Sequence, residues 1–332
     1  MEKYSVIIPV YNRPDEIADL LESLATQTAR NFEVIIVEDG STKPCREVVR
    51  RYDGKVDVKY FFKDNEGRSI ARNYGMERAT GSYFIFFDSD CVIPADYFEK
   101  LNRFAAERPL DCFGGPDAAD SSFTTTQKAI NHAMTSFLTT GGIRGGKISL
   151  EKFTPRTFNM GFSRKVYETT GGFREMFSED IDMSTRIRLD GFNIGLYPDL
   201  PVYHKRRVDF RKFLRQVYVF GMSRITLQLL YPGSLKAVHM LPALFVIGVA
   251  AMLAMAIAVS AWWLLPLGVY LLAIFISALW STRSVRISLL AVPASLIQLG
   301  GYGCGFIKAY IGKIVLGKGR DINEEILIRK GK

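Results

Sequence analysis

The stretch YFIFFDSD at residues 83–90 joins an apolar, aromatic segment directly to two carboxylates. Tyr83–Phe87 has the composition of a buried strand, whereas Asp88 and Asp90 are residues that a core excludes unless they are paired. In open parallel sheets, ligands bind beyond the carboxyl ends of the strands. The stretch therefore predicts one strand of such a sheet, with a ligand site where the strand ends.

The sequence before this stretch alternates apolar strands with helices. Strands are predicted at Tyr4–Val10, Glu33–Val37 and Val56–Phe62, and helices at Asp15–Thr26 and Arg68–Ala79. This alternation, with nearly continuous apolar strands, is typical of a sheet that is buried on both faces. We therefore predict an α/β fold with a mostly parallel sheet and helices on both faces.

Polar residues follow the first two strands and would meet in the same crevice. Pro9, Tyr11 and Asn12 close the first strand, and Glu38 and Asp39 close the second. Asp39 precedes a glycine, and Asp-Gly is a common turn pair. Asp39 is therefore either a turn residue or a carboxylate that binds the base or ribose of a nucleotide.

The D-x-D sequence of Asp88, Ser89 and Asp90 follows the fourth strand. Two oxygen ligands there suit one Mg²⁺ or Mn²⁺, which takes few protein carboxylates and completes its shell with water and phosphate. D-x-D also arises by chance, and the strand before it is what favours a metal site. His204, beside a basic run, is either a structural residue or a further ligand of the ion.

Two further groups of charged residues lie on predicted helices. Arg68 and Arg72 lie four residues apart, either on a solvated helix face or in contact with a nucleotide or its diphosphate. In SEDID, Glu179 and Asp180 begin a helix. Acids are favoured at such a position, and Ser178 would act as the N-cap. The other interpretation is that a carboxylate of this pair is a general base.

The C-terminal part of the chain has the composition of membrane helices. No charged residue occurs from Met240 to Thr282, a length that suits two spans of about 20 residues each. We predict a helical hairpin at about 238–260 and 263–281, because a buried pair of core helices would not need such length. A third apolar segment at 287–312 is glycine-rich and is either a span or a kinked, re-entrant or interfacial segment.

The net charge of +9 is concentrated beside these apolar segments. The stretch HKRRVDFRKFLRQ at residues 204–216 predicts an amphipathic helix at 209–234 that lies on an anionic leaflet. Adjacent apolar segments favour membrane lipids over nucleic acid as its partner. Lysine and arginine residues lie on both sides of the third segment, and such residues prefer the cytosol. A complete third span would place one of these two groups outside the cytosol, so the charges conflict with it.

The domain organisation follows from these patterns. We predict a catalytic domain at 1–208, the interface helix at 209–234, a transmembrane region at 235–316 and a polar tail at 317–332. The N-terminus lacks the layout of a signal peptide, so the catalytic domain is expected in the cytosol. Four widely spaced cysteines suit a reducing compartment.

Together, six stretches resemble the family 2 glycosyltransferases, which have the GT-A fold. They cover about residues 4–224 in the order typical of the family: SVIIPVYNRPDEIADLLESLATQT, VIIVEDGST, NEGRSIARNYG, GSYFIFFDSD, FNMGFSRKVYETTGGF and SEDIDMSTRI. The resemblance implies an inverting enzyme that transfers a sugar from a nucleotide-diphosphate donor, usually UDP-linked. Given the apolar segments, the expected acceptor is a hydroxyl of a lipid-linked molecule or glycan in cell-envelope polysaccharide biosynthesis, at the cytoplasmic membrane.

The resemblance also implies roles for residues of the nucleotide and metal sites. Asp39 matches the carboxylate that binds the nucleobase, and Pro9 and Tyr11 match the lip of the nucleotide pocket. Asp88 and Asp90 match the DxD motif, with Asp90 the more direct ligand of Mn²⁺ or Mg²⁺.

Further matches concern the base and the acceptor. Asp180 matches the catalytic base of the ED motif, with Glu179 beside it near the acceptor, and His204 matches a histidine that completes the metal site in some members. Glu38 departs from the Asp found in many members. The Q-x-x-R-W signature of processive members is missing, which favours transfer of a single sugar over polymer extrusion.

Other functions fit the sequence less well. A polyprenyl-phosphate sugar transferase needs little deprotonation of its acceptor, so the ED motif argues mildly against it. A dinucleotide-binding oxidoreductase needs G-x-G-x-x-G after the first strand, where residues 9–16 contain no glycine. A channel would need polar groups within the spans. A non-catalytic module that binds nucleotide sugars is disfavoured by the intact Asp39, DSD and ED.

Overall fold

The computed structural model of the chain describes residues 2–118, 123–140, 153–204 and 209–318. These residues form two compact units: residues 2–118 with 153–204, and residues 123–140 with 209–318. The glycine-rich stretch at 141–147, the basic residues 205–207 and nearly all of the predicted polar tail lie outside the described residues.

The first unit is built on a seven-stranded sheet in the order β3-β2-β1-β4-β8-β6-β9. Its strands are β1 (Tyr4–Val10), β2 (Phe32–Asp39), β3 (Val58–Lys63), β4 (Tyr83–Phe86), β6 (Cys112–Gly114), β8 (Met160–Ser163) and β9 (Ile194–Leu196). A smaller sheet contains β5 (Cys91–Val92), β7 (Asp117–Ala118) and β10 (Val202–His204). In the large sheet β8 is antiparallel to its neighbours and the other pairs are parallel, which confirms the predicted mostly parallel sheet.

Helices cover both faces of the large sheet. They are α1 (Pro14–Ala25), α2 (Arg46–Arg50), α3 (Arg68–Arg78), α4 (Tyr97–Glu107), α7 (Arg164–Thr170) and α8 (Glu179–Leu189), numbered along the whole chain. Alternate residues of β1 enter different cores: Ile8 packs with Leu21 of α1, whereas Ile7 packs with Met76 of α3. A strand that is buried on both faces must be apolar at nearly every position, which explains SVIIPV at its centre.

The second unit is helical. Its helices are α5 (Thr125–Thr135), α6 (Phe137–Thr140), α9 (Phe210–Leu230), α10 (Ala237–Ala258), α11 (Leu265–Thr282) and α12 (Val285–Ala309), and α12 continues as a π-helical turn at Tyr310–Val315. By length and composition, three helical segments are able to cross a membrane: Ala237–Ala258, Ala261–Thr282 and Val285–Val315. They coincide with the three predicted apolar segments.

Glycines bring α9 and α12 into close contact. A Cβ on Gly221 of α9 would lie 2.0 Å from the carbonyl oxygen of Tyr302, and one on Gly305 of α12 would lie 2.0 Å from that of Tyr218. These distances are far below van der Waals contact, so the two backbones approach as closely as they do because these positions lack side chains. Gly301 and Gly305 form a G-x-x-x-G pair on α12, and a Cβ on Gly301 would lie 2.7 Å from the Val217 side chain, so both glycines face α9.

Candidate active site

Asp39 lies at the carboxyl end of β2 and holds the loop that leads into α3. Its Oδ2 accepts a hydrogen bond from the Gly67 amide at 2.9 Å, and its Oδ1 accepts from the Glu66 amide at 3.1 Å. Lys63 forms an ion pair with the same Oδ1 at 2.9 Å. Because a carboxylate oxygen has two lone pairs, Oδ2 retains capacity for one further donor, such as a nucleobase N–H.

Glu38 and Asn12 connect the loops after β1 and β2. Fully buried, Glu38 accepts hydrogen bonds from the Ser41 hydroxyl, the Cys45 amide and the Tyr60 hydroxyl. Asn12 has a left-handed backbone (φ 54°), and its backbone amide donates a hydrogen bond to the Ser41 hydroxyl at 2.7 Å. The two residues therefore fix the shape of the crevice edge next to Asp39.

Pro9 and Tyr11 flank this edge on the first strand. Pro9 pairs with Val37 near the end of β1, and Tyr11 follows the strand with 51% of its surface exposed. An exposed aromatic ring beside a buried strand end is available for stacking on a planar ligand such as a nucleobase.

Arg72 joins the end of β4 to the start of α8. It is 1% exposed, and its guanidinium donates to Asp88 Oδ1 at 2.9 Å and to Glu179 Oε1 at 3.0 Å. Arg68 donates to the other oxygen of Glu179 at 2.8 Å. The structure thus brings together four predicted site residues: Arg68, Arg72, Asp88 and Glu179. The solvated helix face considered for the arginines is wrong for Arg72, because this side chain turns inward to two carboxylates.

The D-x-D residues lie beyond the last residue of β4. β4 ends at Phe86, and Ser89 and Asp90 form a turn before β5. Asp88 contacts Arg72, whereas Asp90 Oδ2 pairs with Arg13 at 3.1 Å. Ser89, between them, is buried. The two carboxylates therefore reach different arginines, because the backbone turns after the strand.

The chemistry of this donor set fits one divalent cation. Among the described residues there is no group of three or more His, Cys, Asp or Glu side chains that could hold a metal by itself. Mg²⁺ and Mn²⁺ sites in nucleotide-binding enzymes need only one or two carboxylates, since phosphate and water supply the rest. The backbone of His204 in β10 pairs with Cys91, the residue after Asp90, so His204 is adjacent in the sheet to the D-x-D turn.

Asp180 is held by an arginine that the sequence analysis did not single out. Arg156 Nη1 donates to Asp180 Oδ2 at 2.9 Å, and the Ile181 amide donates to Oδ1 at 2.8 Å. Burial acts to raise the pKa of Asp180, but the Arg156 charge and these hydrogen bonds outweigh it, and the pKa lies below its usual value. Arg156 and the Ile181 amide thus favour the ionised form of the Asp180 carboxylate.

The residue before the ED pair has an unusual backbone. Ser178 adopts the left-handed conformation (φ 64°, ψ 38°), and its side chain makes no capping hydrogen bond to α8. The predicted N-cap role of Ser178 is therefore wrong. A non-glycine residue in this conformation costs on the order of 1 kcal/mol, and such strain clusters at functional sites.

Glu175 is a further carboxylate that sequence reasoning missed. A Cβ on Gly67 would lie 2.7 Å from Glu175 Oε1, so Glu175 packs directly on the loop that Asp39 holds. Burial raises the pKa of Glu175. No sequence signal marks Glu175 or Arg156, because each meets its partner through the fold and neither belongs to a short motif.

Comparison with known proteins identifies the family. A sequence model described as glycosyl transferase family 2 matches residues 5–171. The uncharacterized glycosyltransferase YibD of Escherichia coli is 42% identical over 110 residues, 33% of this chain and 32% of its own length. The putative teichuronic acid biosynthesis glycosyltransferase TuaG of Bacillus subtilis is 39% identical over 107 residues, 31% of this chain and 42% of its own length. The chain spans less than half the length of these curated relatives.

Solved structures share the fold at low sequence identity. The mannosyltransferase PcManGT from Pyrobaculum calidifontis, in complex with GDP-Man and Mn²⁺, superposes with a TM-score of 0.58 and 17% identity over 94% of this chain and 88% of its own. Residues 1–349 of S. aureus TarS in complex with UDP superpose with a TM-score of 0.50 and 19% identity over 93% and 92% of the two chains. With a family model that covers half of its residues and these structural neighbours, the chain belongs to glycosyl transferase family 2 and has the GT-A fold.

Proposed function

We propose that the chain is a metal-dependent, inverting glycosyltransferase. It moves one sugar from a nucleotide-diphosphate sugar, UDP-linked by expectation, to a hydroxyl of a lipid-linked or glycan acceptor in cell-envelope polysaccharide biosynthesis. The single observation that carries this proposal is the pair of ion contacts through Arg72, which links the D-x-D residue Asp88 to Glu179 of the ED pair. Asp88, the proposed metal ligand, and the ED pair are thereby joined through one buried side chain.

Comparisons support the donor class and the pathway. PcManGT, which shares the fold, binds GDP-Man and Mn²⁺, and TarS binds UDP. TuaG is named for teichuronic acid, a polymer, which supports a role in the synthesis of an envelope polysaccharide. These proteins differ in nucleotide, so the choice of UDP rests on the family resemblance, in which the carboxylate matched by Asp39 usually binds uracil.

Asp39, Pro9 and Tyr11 bind the nucleoside in this proposal. Asp39 Oδ2, already fixed by the Gly67 amide, accepts a base N–H, and Tyr11 stacks at the lip of the pocket. Arg68 lies at the first position of α3 beside this loop, pairs with Glu179 through one end of an exposed side chain, and is the cation proposed to contact the diphosphate.

Asp88 and Asp90 hold the divalent cation, with His204 as the further ligand. A cation bound there would stabilise the negative charge that develops on the departing nucleoside diphosphate. Arg13 pairs with Asp90 and Arg72 pairs with Asp88, so a cation bound there would share these carboxylates with the two arginines.

Asp180 removes the proton from the acceptor hydroxyl as it attacks the anomeric carbon. Arg156 fixes the carboxylate through Oδ2 and keeps it ionised, and Glu179 is fixed beside it by two arginines. Attack from the face opposite the leaving diphosphate inverts the anomeric carbon, and no covalent enzyme intermediate is needed.

The apolar helices place the reaction at a membrane in this proposal. Three segments are long and apolar enough to cross it, and a lipid-linked acceptor is confined to the same surface. The catalytic unit is proposed to face the cytosol, where nucleotide sugars are made.

The proposal is tested by release of nucleoside diphosphate from a panel of UDP- and GDP-sugars, with membrane lipid extract as the acceptor source. A bound metal stabilises the transition state by several kcal/mol. Asp90→Asn should therefore lower kcat/KM by roughly a hundredfold or more. Asp96→Asn, an exposed aspartate before α4, is the matched control and should retain activity. Equal activity of the two variants, with and without EDTA, would contradict a metal site at Asp90.

The pH profile tests the pair formed by Arg156 and Asp180. The folded protein depresses the pKa of Asp180, so the base stays active as pH falls until this lowered pKa is reached. Removing the charge in Arg156→Gln raises that pKa, and the acidic limb of kcat/KM should move to higher pH. The control is Arg50→Gln, an exposed arginine that pairs with Glu47. An acidic limb that stays in place in Arg156→Gln would show that another group is the base.

A further inference from the structure

The first half of α12 contacts the last turns of α11. Ala291 of α12 is buried in one cluster with Ala278 of α11 and Ala129 of α5, and Ile287 and Leu290 pack against it. Ala278 lies one turn before the end of α11 at Thr282. The first half of α12 therefore lies beside the C-terminal end of α11. This end is far from the segment that connects α10 to α11.

The second half of α12 contacts the first turns of α10. A Cβ on Gly303 would lie 2.3 Å from the carbonyl oxygen of Pro242, and Phe306 shares a buried cluster with Ala243. α10 begins at Ala237. The second half of α12 therefore lies beside the N-terminal end of α10. This end is also far from the segment that connects α10 to α11.

These contacts conflict with a third span. Helices α10 and α11 meet at residues 259–264, and the rings of Phe245 in α10 and Tyr270 in α11 lie 5.8 Å apart, so the two helices run side by side in opposite directions. The start of α10 and the end of α11 therefore mark the same end of the hairpin. Ala291 and Phe306 are about 22 Å apart along the helix axis. If α12 ran back along α11, its second half would lie beside the connection at 259–264. Instead, both halves of α12 lie at the opposite end.

Charge gives an independent observation. Arg283 and Arg286 flank the start of α12, and Lys308, Lys313 and Lys318 follow its apolar stretch. Cations at the two ends of an apolar helix that spans a membrane would face opposite leaflets, and such residues strongly favour one side. A helix that lies along the surface places all of them at one headgroup layer, where they meet lipid phosphates.

Helix α9 runs alongside α12 and adds further cations. Phe213 of α9 shares a cluster with Ala294, and Ile225 shares one with Phe306, so the two helices run in the same direction. Exposed residues on the other face of α9 include Arg211, Lys212 and Arg215. The predicted interface helix is therefore a partner of α12.

We infer that α12 does not cross the membrane but lies with α9 along the headgroup layer of one leaflet, at the end of the hairpin where α10 starts and α11 ends. Residues after α12 then lie on the same side of the membrane as α9. The inference rests on the membrane association in the proposed function and assigns the third apolar segment to the surface. Lipid phosphates of that leaflet are the partners of the cations at both ends of α12.

Cysteine labelling in sealed membrane vesicles tests the inference on the full-length chain. Cys45, Cys91 and Cys112 are buried, so Cys304→Ser removes the exposed native thiol among the described residues. Single cysteines are then introduced as Lys212→Cys in α9, Ala261→Cys in the hairpin connection, and Lys318→Cys after α12. Each variant is treated with a membrane-impermeant maleimide before and after permeabilisation.

We expect Lys212→Cys and Lys318→Cys to be labelled from the same side and Ala261→Cys from the opposite side. Labelling of Lys318→Cys together with Ala261→Cys would show a complete third span and overturn the inference. Labelling of all three from one side would also overturn it, since the hairpin would not cross. Nucleoside diphosphate release is measured in the same vesicles, so a failure of the proposed transferase activity is seen separately from the topology.

Discussion

Asp180→Asn is expected to lower kcat by about 10²–10⁴-fold, the usual contribution of a positioned general base, with little change in donor affinity. The asparagine amide keeps the shape of the side chain and an oxygen that accepts the hydrogen bond from Arg156. It cannot, however, take up the proton that the sugar acceptor's hydroxyl must lose. The effect should therefore fall on turnover. Donor binding is measured by titration and turnover by nucleoside diphosphate release.

A matched control lies just beyond the other end of the same helix. Asp190 follows the last residue of α8 and accepts a hydrogen bond from Thr170 at 2.6 Å, away from the ED pair. Asp190→Asn should retain the kcat of the parent chain. If Asp180→Asn turned over as fast as Asp190→Asn, the assignment of Asp180 as the base would be wrong.

Arg72→Met is expected to have the largest effect on stability. Arg72 and Glu179 are both almost fully buried, and removal of one partner of a buried ion pair costs about 3–5 kcal/mol because the other charge is left uncompensated. Arg68→Met is the matched control. Arg68 pairs with the same Glu179, but its side chain is 56% exposed, and exposed pairs contribute roughly 0–1 kcal/mol.

The two variants are compared by thermal unfolding of the full chain in detergent. A double variant, Arg72→Met with Glu179→Met, removes the uncompensated buried carboxylate and should recover much of the lost stability, whereas activity should stay lost. Equal unfolding temperatures for Arg72→Met and Arg68→Met would show that the buried pair does not hold α3 to α8.

Much of the first unit was predictable because its signals are local. The predicted strands and helices of the first 90 residues all occur, with ends within two residues of the prediction. A strand buried on both faces, such as β1, is apolar at nearly every position, and such a pattern is legible without a structure. The convergence of Asp39 and Asp88 on one edge follows from the parallel pairing alone.

The contacts between distant segments were not predictable. Helical spacing places Arg68 and Arg72 on one face, yet Arg72 is buried between Asp88 and Glu179, whereas Arg68 pairs with Glu179 from an exposed position. Arg156 reaches Asp180 from a loop with no motif. Composition likewise indicates that α12 is apolar, but only its contacts with Ala278 and Ala243 show which helix ends it meets.

The most direct test of the central claim is transfer of a labelled sugar by the full chain in membranes. Each labelled UDP- or GDP-sugar is incubated with Mn²⁺, and label is followed into extractable lipid and glycan, with Asp180→Asn as the inactive reference. The account predicts incorporation from one donor that requires the divalent cation and is lost in the variant. Donor binding without incorporation, unchanged by the variant, would contradict it and make the chain a non-catalytic nucleotide-sugar binding module.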